Sequence, residues 1–103
     1  MNPSAGLRFI AMTLLGNDEI ETRLSALDGW ERRGEAIVKA FDRGDFVGSV
    51  NFVDSLVAPA EAMGHHPDLE VSWGTVTVAI STHSEGGLTA ADFELAGKIE
   101  ALA

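Results

Sequence analysis

The chain has 103 residues, enough for one domain built on a single modest core. It contains no cysteine, which excludes disulfides, thiolate nucleophiles and cysteine-based zinc or iron–sulfur centres. Sixteen acidic side chains against seven basic ones leave a net charge of −9, a surface that repels phosphate backbones and anionic membranes.

Neither nucleic acid nor a membrane is therefore an expected partner, and the lack of cysteine suits a reducing cytoplasm. The longest apolar run, Phe9 to Leu15, falls far short of the roughly 20 residues a membrane span needs. Residues 1–13 read as a loosely ordered tail ahead of one domain over 14–103, and Met12 is an alternative start.

The first predicted element is a helix over "NDEIETRLSAL". Asn17 or Asp18 is its expected cap, Glu19 and Glu21 suit its positive end, and Ile20, Leu24 and Leu27 form one apolar stripe. Asp28-Gly29 stops it. Two short strands follow in "WERRGEAIVKAF", with a turn near Arg33-Gly34. The second strand is apolar on both faces, so one side covers the core and the other is free to meet a second subunit.

"DFVGSVNFVDSLVAPAEAMG" is predicted as one long helix capped by Asp45 and closed by Gly64. Phe46, Val50, Val53, Val57 and Ala60 share a face at helical spacing. Pro59 removes a backbone donor and predicts a kink near the last turns. A hairpin then runs through "DLEVSWGTVTVAISTH", turning at Gly74. Leu69, Val71 and Trp73 face one way in its first strand, and Val76, Val78 and Ile80 in its second. A strand regular to its end carries His83 on the opposite face. Thr89 caps the last helix with Asp92 three residues on, close to a capping box, and Ala91, Leu95, Ile99 and Leu102 form its buried stripe. The order α-β-β-α-β-β-α predicts an α+β domain, an antiparallel sheet covered by helices.

Two of the three histidines, His65 and His66, stand side by side in "EAMGHHPDLE". Three readings fit them. Adjacent residues in extended chain point apart, so a shared metal ion suits them poorly, although Glu61, one of the pair and His83 offer a donor set. As structural groups, His65 would brace the last helical carbonyls, and His66 is held extended by Pro67. As chemical groups, imidazoles donate and accept protons near neutral pH, and a neighbouring carboxylate fixes their tautomer. A reaction that only moves protons calls for no metal and no redox cofactor.

The combination of Glu61, "HHP" at 65–67, an aromatic at 73 and "STHSEGGLTAAD" from Ser81 resembles the signature of the pterin-4a-carbinolamine dehydratase family. The likeness extends back through "LLGNDEIETRLSALDGW" and "AIVKAFDRGDF". It implies a four-stranded antiparallel sheet with helices on one side and a homodimer or homotetramer. The implied activity is dehydration of a 4a-hydroxytetrahydropterin to quinonoid dihydropterin, which recycles the pterin of an aromatic amino acid hydroxylase. It implies no cofactor. By the same resemblance His65 and His83 are the acid–base pair, His66 and Pro67 meet the pterin, Glu61 orients and polarises an imidazole, and Trp30 and Asp92 lie near the site. From the residues alone, Trp30 reads as a core aromatic and Asp92 as the helix cap. Many members carry an aromatic where this chain has Leu69. Because animal members also act as dimerisation cofactors of a transcription factor, and others as assembly factors, the alternative is a non-catalytic dimerisation or assembly module.

Overall fold

A computed structural model describes residues 13–103. The tail expected over residues 1–13 and the start at Met12 fall almost wholly outside the described residues. Along the chain come α1 (Asn17–Ser25), β1 (Glu31–Arg33), β2 (Ala36–Asp42), α2 (Phe46–Ser55), α3 (Val57–Met63), β3 (Asp68–Val71), β4 (Thr75–Ile80), a 3₁₀ turn (His83–Glu85) and α4 (Ala90–Leu102). The strands form one antiparallel sheet in the order β1-β2-β4-β3. No helix among the described residues is long and apolar enough to cross a membrane.

Register places the core. Ile37 pairs with Ile80 and Phe41 with Val76, so these side chains and Val78 rise from the same face of the sheet. Ile20 of α1, Phe52 of α2, and Phe93, Leu95, Ala96 and Ile99 of α4 pack on that face, with Leu56 from the α2–α3 junction. Helices thus cover one side, as a sheet with one apolar face requires. Phe41 stacks tilted on Phe52 at 4.9 Å between ring centroids and meets Trp30 edge-on at 6.0 Å.

Helix α1 begins one residue earlier than its acidic run suggested. Gly16 is the cap and makes no side-chain bond, while Asn17 Oδ1 accepts from Arg32 Nη1 at 2.9 Å. The helix runs only to Ser25, and Gly29 makes its turn at φ +81°.

The long central helix is two helices. It breaks at Leu56, three residues ahead of Pro59, whose ring conflicts with the carbonyl four residues back at Ser55. Pro59 then sits in the first turn of α3, where no intrahelical donor is needed. The inward face also differs from the expected stripe. Ser49, Phe52, Leu56 and Ala60 are buried, whereas Phe46, Val50 and Val57 are about half exposed or more. Asp45 does cap α2, its side chain accepting from the Gly48 N–H at 2.7 Å.

Three other expectations shift. Trp73 lies past the end of β3, in the turn, and is 72% exposed. Leu102, in the last turn of α4, is 45% exposed and so does not join the buried stripe of Ala91, Leu95 and Ile99. Strand β4 ends at Ile80, so His83 is placed by the 3₁₀ turn and not by strand parity.

Candidate active site

Position 65 is fixed first by backbone. Gly64 adopts the left-handed conformation at φ +62° and closes α3. Its N–H donates to the Glu61 carbonyl and the N–H of His65 donates to that of Ala60, the two bonds of a Schellman motif. The chain leaves the helix with its direction set, and His65 projects toward the start of α4. There its Nε2 lies 2.7 Å from Asp92 Oδ1. The ring is 11% exposed and Asp92 is fully buried.

Asp92 has two tasks. It is the third residue of α4, and its Oδ2 accepts from the Thr89 N–H at 2.8 Å while Thr89 Oγ1 accepts from the Ala91 N–H, a capping box. The same Oδ2 accepts from Thr82 Oγ1 at 2.9 Å, and the two threonine hydroxyls meet at 2.8 Å. Thr82, Thr89 and Asp92 are all buried, so this is a polar cluster sealed from water. Donors surround the carboxylate and offset its desolvation.

Thr82 also sets the neighbouring residue. Its backbone bridges to Gly87, which folds 83–86 into a tight loop and puts His83 at the head of the 3₁₀ turn. His83 Nε2 lies 3.5 Å from Asp68 Oδ2, and Ser81 Oγ lies 3.4 Å from His83 Nδ1. Both His83 and Asp68 are about three-quarters exposed. Two links therefore bring the "HHPD" turn to the "STH" turn: His65 through Asp92 and Thr82, and Asp68 with His83. His66 points elsewhere, its Nε2 2.5 Å from Glu61 Oε2, and both side chains are exposed. Pro67, half-buried, joins the two histidines to β3.

The carboxylate that orients a buried imidazole is thus Asp92, while Glu61 pairs with the exposed His66. Trp30 does not join these groups. It is 6% exposed in the core and its indole N–H donates to Glu100 Oε1 at 2.8 Å, the same oxygen that Lys39 Nζ contacts. Among the described residues no group of three or more His, Asp or Glu side chains is placed to hold a metal ion.

Asp68 and Thr82 were missed by sequence reasoning. Asp68 reads as the first residue of a strand, and Thr82 as a polar residue between Ser81 and His83. The one available signal was position, each lying within two residues of a histidine.

Comparison with known proteins places the whole chain. The profile of the family described as pterin 4 alpha carbinolamine dehydratase matches residues 13–102. A Thermosynechococcus vestitus protein, named as a candidate pterin-4-alpha-carbinolamine dehydratase, is 48% identical over 85 residues, 82% of this chain and 90% of its own. A Roseiflexus castenholzii protein of the same name is 47% identical over 87 residues, 84% of this chain and 94% of its own. The crystal structure of a transcriptional coactivator/pterin dehydratase from Brucella melitensis superposes with a TM-score of 0.85 at 35% identity, covering 88% of this chain and 99% of that one. A pterin dehydratase-like protein identified as a RuBisCO assembly factor shares the fold alone, with a TM-score of 0.58 at 24% identity over 72% of this chain and 86% of that one. With a match that runs from Thr13 to the last helix and takes in both histidine turns, the chain belongs to the pterin 4 alpha carbinolamine dehydratase family.

Proposed function

We propose that the chain is a 4a-hydroxytetrahydropterin dehydratase working by histidine acid–base catalysis. The observation that carries this reading is the pairing of His65 with the buried Asp92, on a hydrogen-bonded cluster whose Thr82 directly precedes His83. Two imidazoles on one scaffold suit an elimination. One, as imidazolium, protonates the 4a-hydroxyl so that it leaves as water. The other takes the proton from N5, and the electron pair of the N5–H bond forms the N5=C4a double bond of quinonoid dihydropterin. Each positioned proton transfer contributes about 10²–10⁴-fold. Asp92, being sealed from solvent, acts through His65 and not by touching the pterin. His66 and Pro67 would border the ligand, and the reaction would serve an aromatic amino acid hydroxylase in the cytoplasm.

The test is a stopped-flow record of 4a-carbinolamine loss with purified protein. Wild-type protein should accelerate it, and His65→Ala and His83→Ala should each lower kcat by about 10²-fold or more. Unchanged turnover in both variants would end this reading.

A second reading, a non-catalytic dimerisation or assembly module, draws on the exposed apolar row of Phe46, Val47, Val50 and Val57. Such a row on a monomer points to a protein interface. The same row favours a homodimer or homotetramer of the enzyme, and it is a better candidate for the subunit contact than the outer face of β2. Phe46→Glu with Val50→Glu should reduce the mass in solution to that of one chain. An inert wild-type protein that captures a partner stoichiometrically would favour the module.

A further inference from the structure

We infer that Thr82 is a positioning residue for His65: the neutral His65 ring carries its hydrogen on Nε2, bonded to Asp92, and Nδ1 is the nitrogen that exchanges protons with the substrate. The first half rests on geometry alone, and the second on the dehydratase reading.

Counting hydrogens gives the assignment. An ionised carboxylate only accepts, so every contact of Asp92 must be a donor's. Oδ2 takes the Thr89 N–H at 2.8 Å and the Thr82 hydroxyl at 2.9 Å. Thr82 has one hydroxyl hydrogen, and Asp92 uses it. The 2.8 Å contact between Thr82 Oγ1 and Thr89 Oγ1 must then be donated by Thr89. Thr89 Oγ1 is still free to accept, and it does so from the Ala91 N–H at 3.2 Å. The order of donors runs without conflict from Ala91 through Thr89 and Thr82 to Asp92. It leaves Oδ1 for one further donor, and the atom 2.7 Å away is His65 Nε2.

A neutral imidazole has one N–H. With that hydrogen on Nε2, the lone pair sits on Nδ1, which has no hydrogen-bond partner among the described residues. Asp92 is fully buried and its ring partner only 11% exposed, so water cannot readily replace a lost donor. Removing the Thr82 hydroxyl takes one of the three donors that fix the Asp92 side chain, Thr82 and Thr89 at Oδ2 and His65 at Oδ1. With that hold loosened, Oδ1 no longer keeps the ring hydrogen on Nε2, and the form with the hydrogen on Nδ1 blocks the reactive position. Thr82 thus controls the tautomer across Asp92 without reaching the substrate.

Two-bond ¹H–¹⁵N correlation spectra of ¹⁵N-histidine-labelled protein, recorded without ligand and with the ring neutral, read the tautomer directly. Wild-type His65 should show the Nε2–H pattern. Thr82→Val should bring in the Nδ1–H form and lower kcat by about 10-fold or more with little change in KM, and Thr82→Ser should restore both. An Nδ1–H pattern in wild type overturns the assignment whether or not the protein dehydrates a carbinolamine. A folded Thr82→Val with wild-type tautomer and kcat overturns the role of Thr82. Should Thr82→Val fail to fold, Thr82→Ala, read by the same spectrum and kcat, decides the role of Thr82, and the wild-type spectrum decides the tautomer. An Nε2–H pattern in a protein inert toward the carbinolamine supports the tautomer and removes the dehydratase reading.

Discussion

His65 Nε2 lies 2.7 Å from Asp92 Oδ1, which joins the turn after α3 to the first turn of α4 across 27 residues of chain. One carboxylate caps a helix with Oδ2 and holds a histidine with Oδ1. Asp92→Asn separates these tasks. An asparagine oriented to keep its carbonyl on the Thr89 N–H and the Thr82 hydroxyl turns its amide toward His65, where it donates to Nε2 and reverses the ring's tautomer. The expected outcome is a fall in kcat of about 10²-fold or more with a stability loss of about 1–3 kcal/mol. Steady-state kinetics and urea denaturation check it; a variant with wild-type kcat would show that the pairing is structural only.

The pair formed by His66 and Glu61 behaves differently because both side chains are exposed. Exposed ion pairs contribute about 0–1 kcal/mol, so Glu61→Gln should leave the denaturation midpoint nearly unchanged. His66→Ala should raise KM more than it lowers kcat, as expected of a side chain that meets the ligand and does not carry its protons. A large loss of kcat with unchanged KM would move His66 into the proton-transfer pair.

Trp30 is a core residue in this geometry, packed edge-on to Phe41 with its indole N–H on Glu100. Trp30→Phe keeps most of the apolar contact and leaves Glu100 with Lys39 alone. Stability should fall by about 1–3 kcal/mol, mainly from lost volume and the missing donor, while KM stays at the wild-type value. A raised KM in a well-folded variant would place Trp30 at the pterin.

Sequence patterns carried different parts of this molecule unequally. The last helix was legible because Thr89 and Asp92 stand at capping-box spacing and Leu95 and Ile99 repeat at i, i+4. The strands were legible from alternation, since Val76, Val78 and Ile80 are all fully buried. The face of α2 was misread: Phe46, Val50 and Val53 repeat at helical spacing, yet Val47 and Phe52 add apolar groups on either side of that stripe, and the buried side is the one carrying Ser49 and Phe52. Pro59 sharpened the ambiguity by breaking the helix upstream at Leu56, which changes the phase between its two halves. At the candidate site, "HHP" and "STH" marked the two turns that carry the histidines, and Asp92 was visible as a cap. Its second oxygen, the Thr82 hydroxyl and Asp68 were not visible as partners, because those contacts are made between elements and depend on where α3 and β4 end.

Gly64 connects this geometry to the sequence most directly, and it yields the last prediction. The residue sits at φ +62°, where a side chain's Cβ crowds its own backbone, yet no other atom lies within 4 Å of a Cβ built there. The cost of Gly64→Ala is therefore conformational and not steric, about 1–2 kcal/mol in a left-handed position. Relief of that strain requires unwinding the turn, which breaks the bonds from Gly64 N–H and His65 N–H to the Glu61 and Ala60 carbonyls. His65 would then lose the direction that carries it to Asp92. Gly64→Asn should be milder in both stability and kcat, because asparagine tolerates the left-handed region better than alanine does. Denaturation midpoints and kcat measured on both variants check this ordering; an alanine variant as stable and active as the asparagine one would show that the turn does not set the position of His65.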